Sequence, residues 1–256
     1  MMEKAKEIVI NTKKLCKSYS NGELQQHIIK NMDIQIYSMD FTVFMGPSGS
    51  GKSTLLHLLS GMDKVSMGEI YFKGTNFTKY SEKQLAHFRK INCGYIFQQI
   101  HLIDSMNLMD NVLISGLLAE KNKKKIIERG KKLFEEVGLT DKEWKKYPSQ
   151  ISGGQMGRAG IVRALINNPE VVFADEPTGA LDSTSGKAVL DLLTKFNSKG
   201  QTIIMVTHDL KSALRGNRIL YLKDGRISGE CMLGTYMGES EERKDRLIHF
   251  LEEMGW

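Results

Sequence analysis

One segment constrains this chain of 256 residues more than any other: Gly46-Pro47-Ser48-Gly49-Ser50-Gly51-Lys52-Ser53. It fits G-x-x-x-x-G-K-[ST] in full. The apolar run Val43-Phe44-Met45 leads into it, and the helical stretch Lys52–Ser60 follows. A strand, a glycine loop and a helix in that order suit phosphate. The glycines let the backbone bend so that its N–H groups converge, and the helix N-terminus adds a positive field. In such a loop the lysine, here Lys52, reaches the β- and γ-phosphates, and Ser53 ligates Mg²⁺. A chance match arises in about one chain in a hundred of this length, and the strand and helix on either side make chance a poor account. Gly46 through Thr54 are therefore the first candidate nucleotide-binding residues.

The remainder alternates strand and helix, which predicts an α/β fold with a mainly parallel sheet. Short strands are expected at Ile8–Ile10, Met32–Ile36 and Phe41–Met45, with a hairpin turn at Asn21-Gly22. Residues 81–90 and 107–138 carry helical periodicity. Leu108, Val112, Leu113, Leu117 and Leu118 are expected on one face, and Ile126, Ile127, Leu133, Phe134 and Val137 on another. Helical signals dominate between about 104 and 150. Continuous apolar runs at Glu170–Ala174 and Thr202–Thr207 read as central parallel strands. Helices are expected at Gln155–Asn167 and Thr184–Asn197. A hairpin follows at Arg218–Gly229, turning at Asp224-Gly225, and Ser240–Trp256 reads as one helix packed back on its own domain.

Charge and cysteine usage narrow the class. Lys and Arg number 36 against 30 Asp and Glu, but residues 121–132 alone hold seven basic residues and one acidic. The rest carries 29 of each sign. A nucleic-acid binder spreads basic residues over a face, whereas a single run of this kind reads as solvated helix surface. Cys16, Cys93 and Cys231 are odd in number and widely spaced, as reduced thiols would be. No stretch approaches the ~20 apolar residues of a membrane span, and the first seven residues lack the apolar run of a signal peptide. A cytoplasmic location is expected.

Two further motifs bear on phosphate chemistry. Val171-Val172-Phe173-Ala174 ends in Asp175-Glu176-Pro177, and neighbouring side chains on a strand point opposite ways. Asp175 can hold Mg²⁺ while Glu176 faces elsewhere, and a carboxylate near the γ-phosphate can polarise an attacking water. Ser152-Gly153-Gly154-Gln155 precedes a helix. It reads either as an anion site or as an ordinary helix start.

Taken in order, these motifs resemble the ATP-binding-cassette (ABC) ATPases from about residue 8 to 230. Gly46–Ser53 matches Walker A, and Gln98 in Tyr95-Ile96-Phe97-Gln98 matches the Q-loop glutamine. Ser152–Gln155 matches the signature loop. Asp175 and Glu176 match Walker B and its catalytic glutamate. Asp182 in Ala180-Leu181-Asp182 matches the D-loop, and His208 matches the switch histidine. Tyr19 stands where the family places a ring that stacks on adenine. Lys52, Gln98, Ser152, Asp175 and His208 are separated by 46, 54, 23 and 33 residues, spacings that suit one cassette.

The resemblance implies a P-loop NTPase core over 1–238, with an N-terminal antiparallel β subdomain, a helical subdomain inserted at about 104–165, and a helical tail at 239–256. It implies ATP and Mg²⁺ as cofactors. Lys52, Gln98, Glu176 and His208 serve turnover, and Ser53, Gln98 and Asp175 serve the metal. It also implies a head-to-tail pair of cassettes, in which Ser152–Gly154 of one chain faces ATP held by the other, and a separate multi-span permease that keeps the chain at the inner face of the membrane. The subgroup most resembled is the macrolide-export and lipoprotein-release group, and within it the cassettes of bacitracin and lantibiotic resistance. Soluble relatives acting on ribosomes or nucleic acid usually carry two cassettes or long coiled coils. Four positions depart from the pattern. Gly157 and Gly160 lie in the signature helix, where each costs roughly 1 kcal/mol relative to Ala and puts rigidity in doubt. Ile100 replaces a common Phe, and Met39 replaces a turn glycine.

Overall fold

The structure is a computed structural model that describes residues 7–22 and 24–256. The expectation about the chain start, residues 1–6, lies outside the described residues. The chain divides into two compact units, residues 1–85 with 197–256, and residues 86–196.

The first unit holds an antiparallel sheet. It is built from β1 (Ile8–Asn21), β2 (Leu24–Met32), β3 (Gln35–Tyr37), β5 (Met67–Phe72) and β6 (Thr75–Asn76), in the order β2-β1-β5-β6 with β3 also on β1. The expected hairpin is present: Asn21 pairs with Leu24 and Gly22 sits at φ 71°. Residue 23 lies outside the described residues. β1 is far longer than Ile8–Ile10. Register shifts between Ile8 and Ile10, between Lys13 and Cys16, and between Leu15 and Lys17 break its alternation, so period-2 patterning cannot reveal it. The expected Met32–Ile36 strand is split, because β2 ends at Met32 and β3 begins at Gln35.

A second set of strands in this unit positions the phosphate loop. β4 (Phe41–Met45) runs parallel to both β9 (Thr202–Val206) and β10 (Arg218–Lys223), and β11 (Arg226–Met232) returns antiparallel to β10. Every residue of β4 and β9 is buried, as the continuous apolar runs implied. α1 (Lys52–Leu59) leaves the loop after β4. α8 (Leu210–Ala213) is a single short turn, and α9 (Glu241–Glu253) buries Leu247, Phe250 and Leu251, with the Phe250 ring against Tyr221 of β10. β11 accepts that helix at Gly229, where a Cβ would come within 2.6 Å of Met254 Sδ and 2.9 Å of the Phe250 ring.

Met39 precedes β4 at φ 61°, a left-handed conformation that explains why glycine suits this turn. Its N–H donates to Thr202 Oγ1 at 2.9 Å, its carbonyl accepts from Asn197 Nδ2, and its side chain is exposed. A left-handed non-glycine residue costs roughly 1–2 kcal/mol, while glycine gives back part of that in unfolded-state entropy. Met39→Gly is therefore expected to stabilise the protein by about 1 kcal/mol in denaturant unfolding. A destabilised variant would show that the Met side chain contributes more than its backbone strain costs.

In the second unit β7 (Cys93–Ile96) pairs in parallel with β8 (Val171–Asp175). α2 (Glu82–Asn92) runs into β7, and α7 (Ser183–Ser198) follows β8. Between them lie α3 (Leu108–Ala119), α4 (Lys123–Glu136), the short α5 (Asp141–Trp144) and α6 (Gly153–Leu165). The stretch 107–138 is thus two helices. Glu120 turns extended, and Asn122 caps α4 by accepting from Lys125 N–H. Leu117 and Leu118 do not share the buried face of α3. Leu108, Val112, Leu113 and Gly116 form that arc, while Leu117 lies about half a turn from Leu108, on the exposed side. Lys123, Lys124, Lys125, Lys131 and Lys132 are all exposed, so the basic run is helix surface.

The glycines of α6 do not interrupt it. A Cβ on Gly157 would sit 3.2 Å from Val189 and 3.3 Å from Leu181, and one on Gly160 would sit 3.2 Å from Ile100. Close packing against α7 and against Ile100 offsets their poor helix propensity. The smaller Ile100 and the bare Gly160 face each other. Arg163 adds a tie across the same contact, donating to the Ile100 and His101 carbonyls at 2.6 Å each.

Candidate functional site

In the first unit the loop after β4 can be built only with glycine at its ends. Gly46 is buried at φ 147°, and a Cβ there would fall 2.0 Å from the Leu222 carbonyl oxygen. Gly51 takes φ 101° and caps α1, and a Cβ would press on Ile28 and Ile29 at 3.0 Å. Pro47, Ser48 and Gly49 are exposed, whereas Ser50 and Lys52 are buried. The Lys52 ammonium is drawn back over the loop and donates to the carbonyls of Gly46 and Pro47, both at 2.8 Å.

This loop fits an anion. α1 has no side-chain cap and no acidic residue in its first turn, so its N-terminal amides have no competing carboxylate there. The Ser50 hydroxyl oxygen is buried with no hydrogen-bond partner among the described residues. A phosphate oxygen would supply an acceptor for both. Ser53 is exposed at the start of α1.

Tyr19 projects from β1 and is 45% exposed, enough to offer a ring face to a ligand. Its phenol donates to Asp63 Oδ2 at 2.7 Å. Partial burial, followed by the neighbouring Asp63 carboxylate, holds the phenol above its ordinary pKa. His208 is exposed two residues past the end of β9. Around it Thr207 Oγ1 accepts from Asp209 N–H, and the Asp209 carboxylate accepts from the Ser212 N–H and hydroxyl.

In the second unit Asp175 ends β8 half-buried, beside Tyr95. Burial and then the charge of Asp175 push the Tyr95 phenol well above its usual range, so it stays protonated. Glu176 adopts φ 46° and its carbonyl accepts from Gly179 N–H at 2.9 Å, which closes a tight turn just past the strand. Gln98 reaches this turn. A Cβ on Gly179 would lie 3.0 Å from the Gln98 amide nitrogen and 3.4 Å from the Glu176 carbonyl oxygen. The glutamine and the carboxylate turn, 78 residues apart in sequence (176 minus 98), are thereby neighbours.

Ser152 and Gln155 form a capping box at the start of α6. The Ser152 hydroxyl accepts from Gln155 N–H at 3.2 Å, and Gln155 Oε1 accepts from Ser152 N–H at 3.0 Å. The helix-start reading is therefore met, and the amides of Gly153 and Gly154 stand in the first turn it opens. Gly154 is held against α7, where a Cβ would come 2.5 Å from Ser185 Oγ. Asp182 caps α7, its carboxylate accepting from the N–H groups of Thr184 and Ser185 at 3.0 Å. Hydrogen bonds from the Ser185 backbone and side chain lower its pKa. Sequence reasoning missed Asp63, Lys17 and Arg163. Each acts through a partner at least 44 residues away or through a backbone carbonyl, and neither leaves a motif.

Comparison with known proteins completes the picture. The family model described as "ABC transporter" matches residues 29–179. The chain is 46% identical over 219 residues to an uncharacterized ABC transporter ATP-binding protein of Methanocaldococcus jannaschii, covering 86% of this chain and 97% of that one. It is 41% identical to the bacitracin export ATP-binding protein BceA of Halalkalibacterium halodurans, covering 86% and 87%. It is also 39% identical to the macrolide export ATP-binding/permease protein MacB of Pasteurella multocida, of which the match spans 34%. Among solved structures, a dimeric post-hydrolysis ATP-binding cassette bound to ADP and Pi superposes with a TM-score of 0.79 at 35% identity, covering 89% of this chain and 100% of that one. A family model spanning more than half the chain, together with relatives matched over nearly their full length, establishes that this chain belongs to the ABC transporter family as an ATP-binding cassette with ATPase function.

Proposed function

We propose that this cassette hydrolyses ATP to drive a separate multi-span permease in antimicrobial-peptide or drug export or resistance, working at the inner face of the cell membrane. The likeness to the bacitracin export cassette over nearly the whole length of both chains carries this reading. It also accords with the absence, among the described residues, of any helix long and apolar enough to cross a membrane.

Each residue then has a task. Residues 1–238 act as one cassette. The amides of Gly46–Gly51 and the first turn of α1, with Pro47, Ser48, Ser50 and Thr54 shaping the loop, bind the phosphates, and Lys52 neutralises their charge. Tyr19 stacks on adenine. Ser53, Gln98 and Asp175 carry a hydroxyl, an amide and a carboxylate oxygen, each a donor of the kind that suits Mg²⁺. When bound, that ion supplies positive charge to the phosphates. Glu176 accepts a proton from the attacking water, and His208 donates to the γ-phosphate. Ser152, Gly153 and Gly154, backed by Gln155, serve the nucleotide of a second copy in a head-to-tail pair, with Asp182 holding the adjoining loop.

The reading is tested by affinity capture of the tagged full chain from native, detergent-solubilised membranes, followed by mass spectrometry. A stoichiometric multi-span permease is the expected companion. Recovery only with ribosomes or nucleic acid would overturn the transport assignment.

A further inference from the structure

The ring assigned above to adenine is not held by the strand alone. Lys17 and Tyr19 lie on one face of β1, and Asp63 follows α1 in the turn before β5. The Asp63 carboxylate takes Tyr19 Oη on one oxygen at 2.7 Å and Lys17 Nζ on the other at 2.7 Å. Lys17 is buried, and its ammonium also donates to the Lys64 carbonyl at 2.7 Å. The same ammonium stands 4.7 Å from the centroid of the Tyr19 ring. Asp63 itself ties the set to α1, since it stands in the turn that this helix runs into.

We propose that Lys17 and Asp63 are positioning residues that preset the Tyr19 ring for the nucleobase, making base recognition a property of a side-chain clamp tied to the phosphate helix. The proposal rests on Tyr19 being the adenine-stacking ring. Three physical points support it. A tyrosine on a strand otherwise rotates about χ1 and χ2, and fixing it before binding removes that entropy cost from the binding step. The clamp fixes the ring at its far end, through the hydroxyl, which leaves the face away from Lys17 available. The ammonium near one face attracts the ring electrons and favours a single placement. Burial raises the Asp63 carboxyl, but the hydrogen bonds from Lys17 and Tyr19 outweigh it, so the group stays ionised at neutral pH and the clamp is closed there.

The clamp acts on the base, so its loss must be visible with ATP and invisible with a ligand that lacks a base. The experiment titrates the full chain with ATP and with inorganic tripolyphosphate, for wild type, Asp63→Ala, Asp63→Asn, Tyr19→Ala and the double variant Tyr19→Ala/Asp63→Ala. Asp63→Ala is expected to weaken ATP about five- to tenfold, in keeping with the loss of one or two side-chain hydrogen bonds, and to leave tripolyphosphate unchanged. Asp63→Asn keeps an acceptor for the phenol but loses the ion pair, and is expected between the two. In the double variant Asp63→Ala should add nothing to Tyr19→Ala, and in steady state the loss should appear in KM for ATP rather than in kcat. If Tyr19→Ala weakens ATP while Asp63→Ala does not, the clamp is overturned and the adenine site stands. If Asp63→Ala weakens tripolyphosphate equally, Asp63 supports the fold of the phosphate loop, and the proposal is again overturned. If Tyr19→Ala leaves ATP affinity unchanged, the adenine site falls and the clamp with it.

Discussion

Glu176→Gln is expected to lower ATP turnover at least about 100-fold while leaving nucleotide binding intact. General bases contribute typically 10²–10⁴-fold, and the substitution removes proton acceptance without altering length or branching. The backbone sharpens the test. Glu176 holds φ 46°, a conformation that costs a residue with a side chain roughly 1–2 kcal/mol. Glutamine meets the same cost, so folding stability should not change, and any loss of turnover belongs to the chemistry. Strained residues of this kind persist where surrounding structure fixes them, and they collect at functional sites. Here the turn closed by Gly179 N–H and the packing of Gln98 on Gly179 supply that constraint. Glu176→Gly provides the complementary case, because it relieves the strain and deletes the carboxylate together. It should be the more stable protein in thermal unfolding and as inactive as Glu176→Gln. Blocked hydrolysis keeps ATP bound in the head-to-tail pair proposed above, so Glu176→Gln with ATP should also accumulate as a dimer in size-exclusion chromatography. Phosphate release at the wild-type rate would remove Glu176 from the role of base.

The phosphate loop, the buried strands β4, β8 and β9, and the capping motif at Ser152 were legible in the sequence because each is local. Their signals are a glycine spacing, an unbroken apolar run, and a serine three residues before a glutamine. The N-terminal sheet was mostly illegible. Register shifts destroy the alternation of β1, while β5 begins with the exposed Met67 and a glycine whose Cβ would collide with the Lys14 carbonyl. The two glycines of α6 looked like defects when judged by propensity alone. They are explained only by what packs on them, Leu181 and Val189 on one and Ile100 on the other, and no local pattern encodes such contacts. The same holds for the clamp on Tyr19, since Asp63 lies 44 residues from the ring that it holds. Positions proposed to touch the phosphates are thus read from spacing, whereas positions that hold them in place are read only from the fold.

Lys52→Ala is expected to weaken ATP binding by one to two orders of magnitude in direct titration. A charge-assisted hydrogen bond contributes roughly 1.5–3 kcal/mol, and every 1.4 kcal/mol is tenfold in affinity. The structure adds a second cause. The Lys52 ammonium donates to the Gly46 and Pro47 carbonyls, so it offsets two oxygen dipoles at the loop in addition to its proposed contact with the phosphates. Deleting it leaves those dipoles facing the incoming negative charge, and the loop becomes repulsive where it was attractive. Lys52→Met separates the two contributions of the side chain, because it keeps most of the aliphatic stem that is buried under the loop and removes only the charge. If the charge dominates, Met and Ala should lose affinity alike, and inorganic tripolyphosphate should lose as much as ATP, since Lys52 addresses phosphate and not the base. A methionine variant that bound like wild type would show instead that the stem shapes the loop and that the helix N-terminus with the loop amides suffices for binding. The contrast with the Asp63 variants is then diagnostic: loss with both ligands marks the phosphate loop, and loss with ATP alone marks the base clamp.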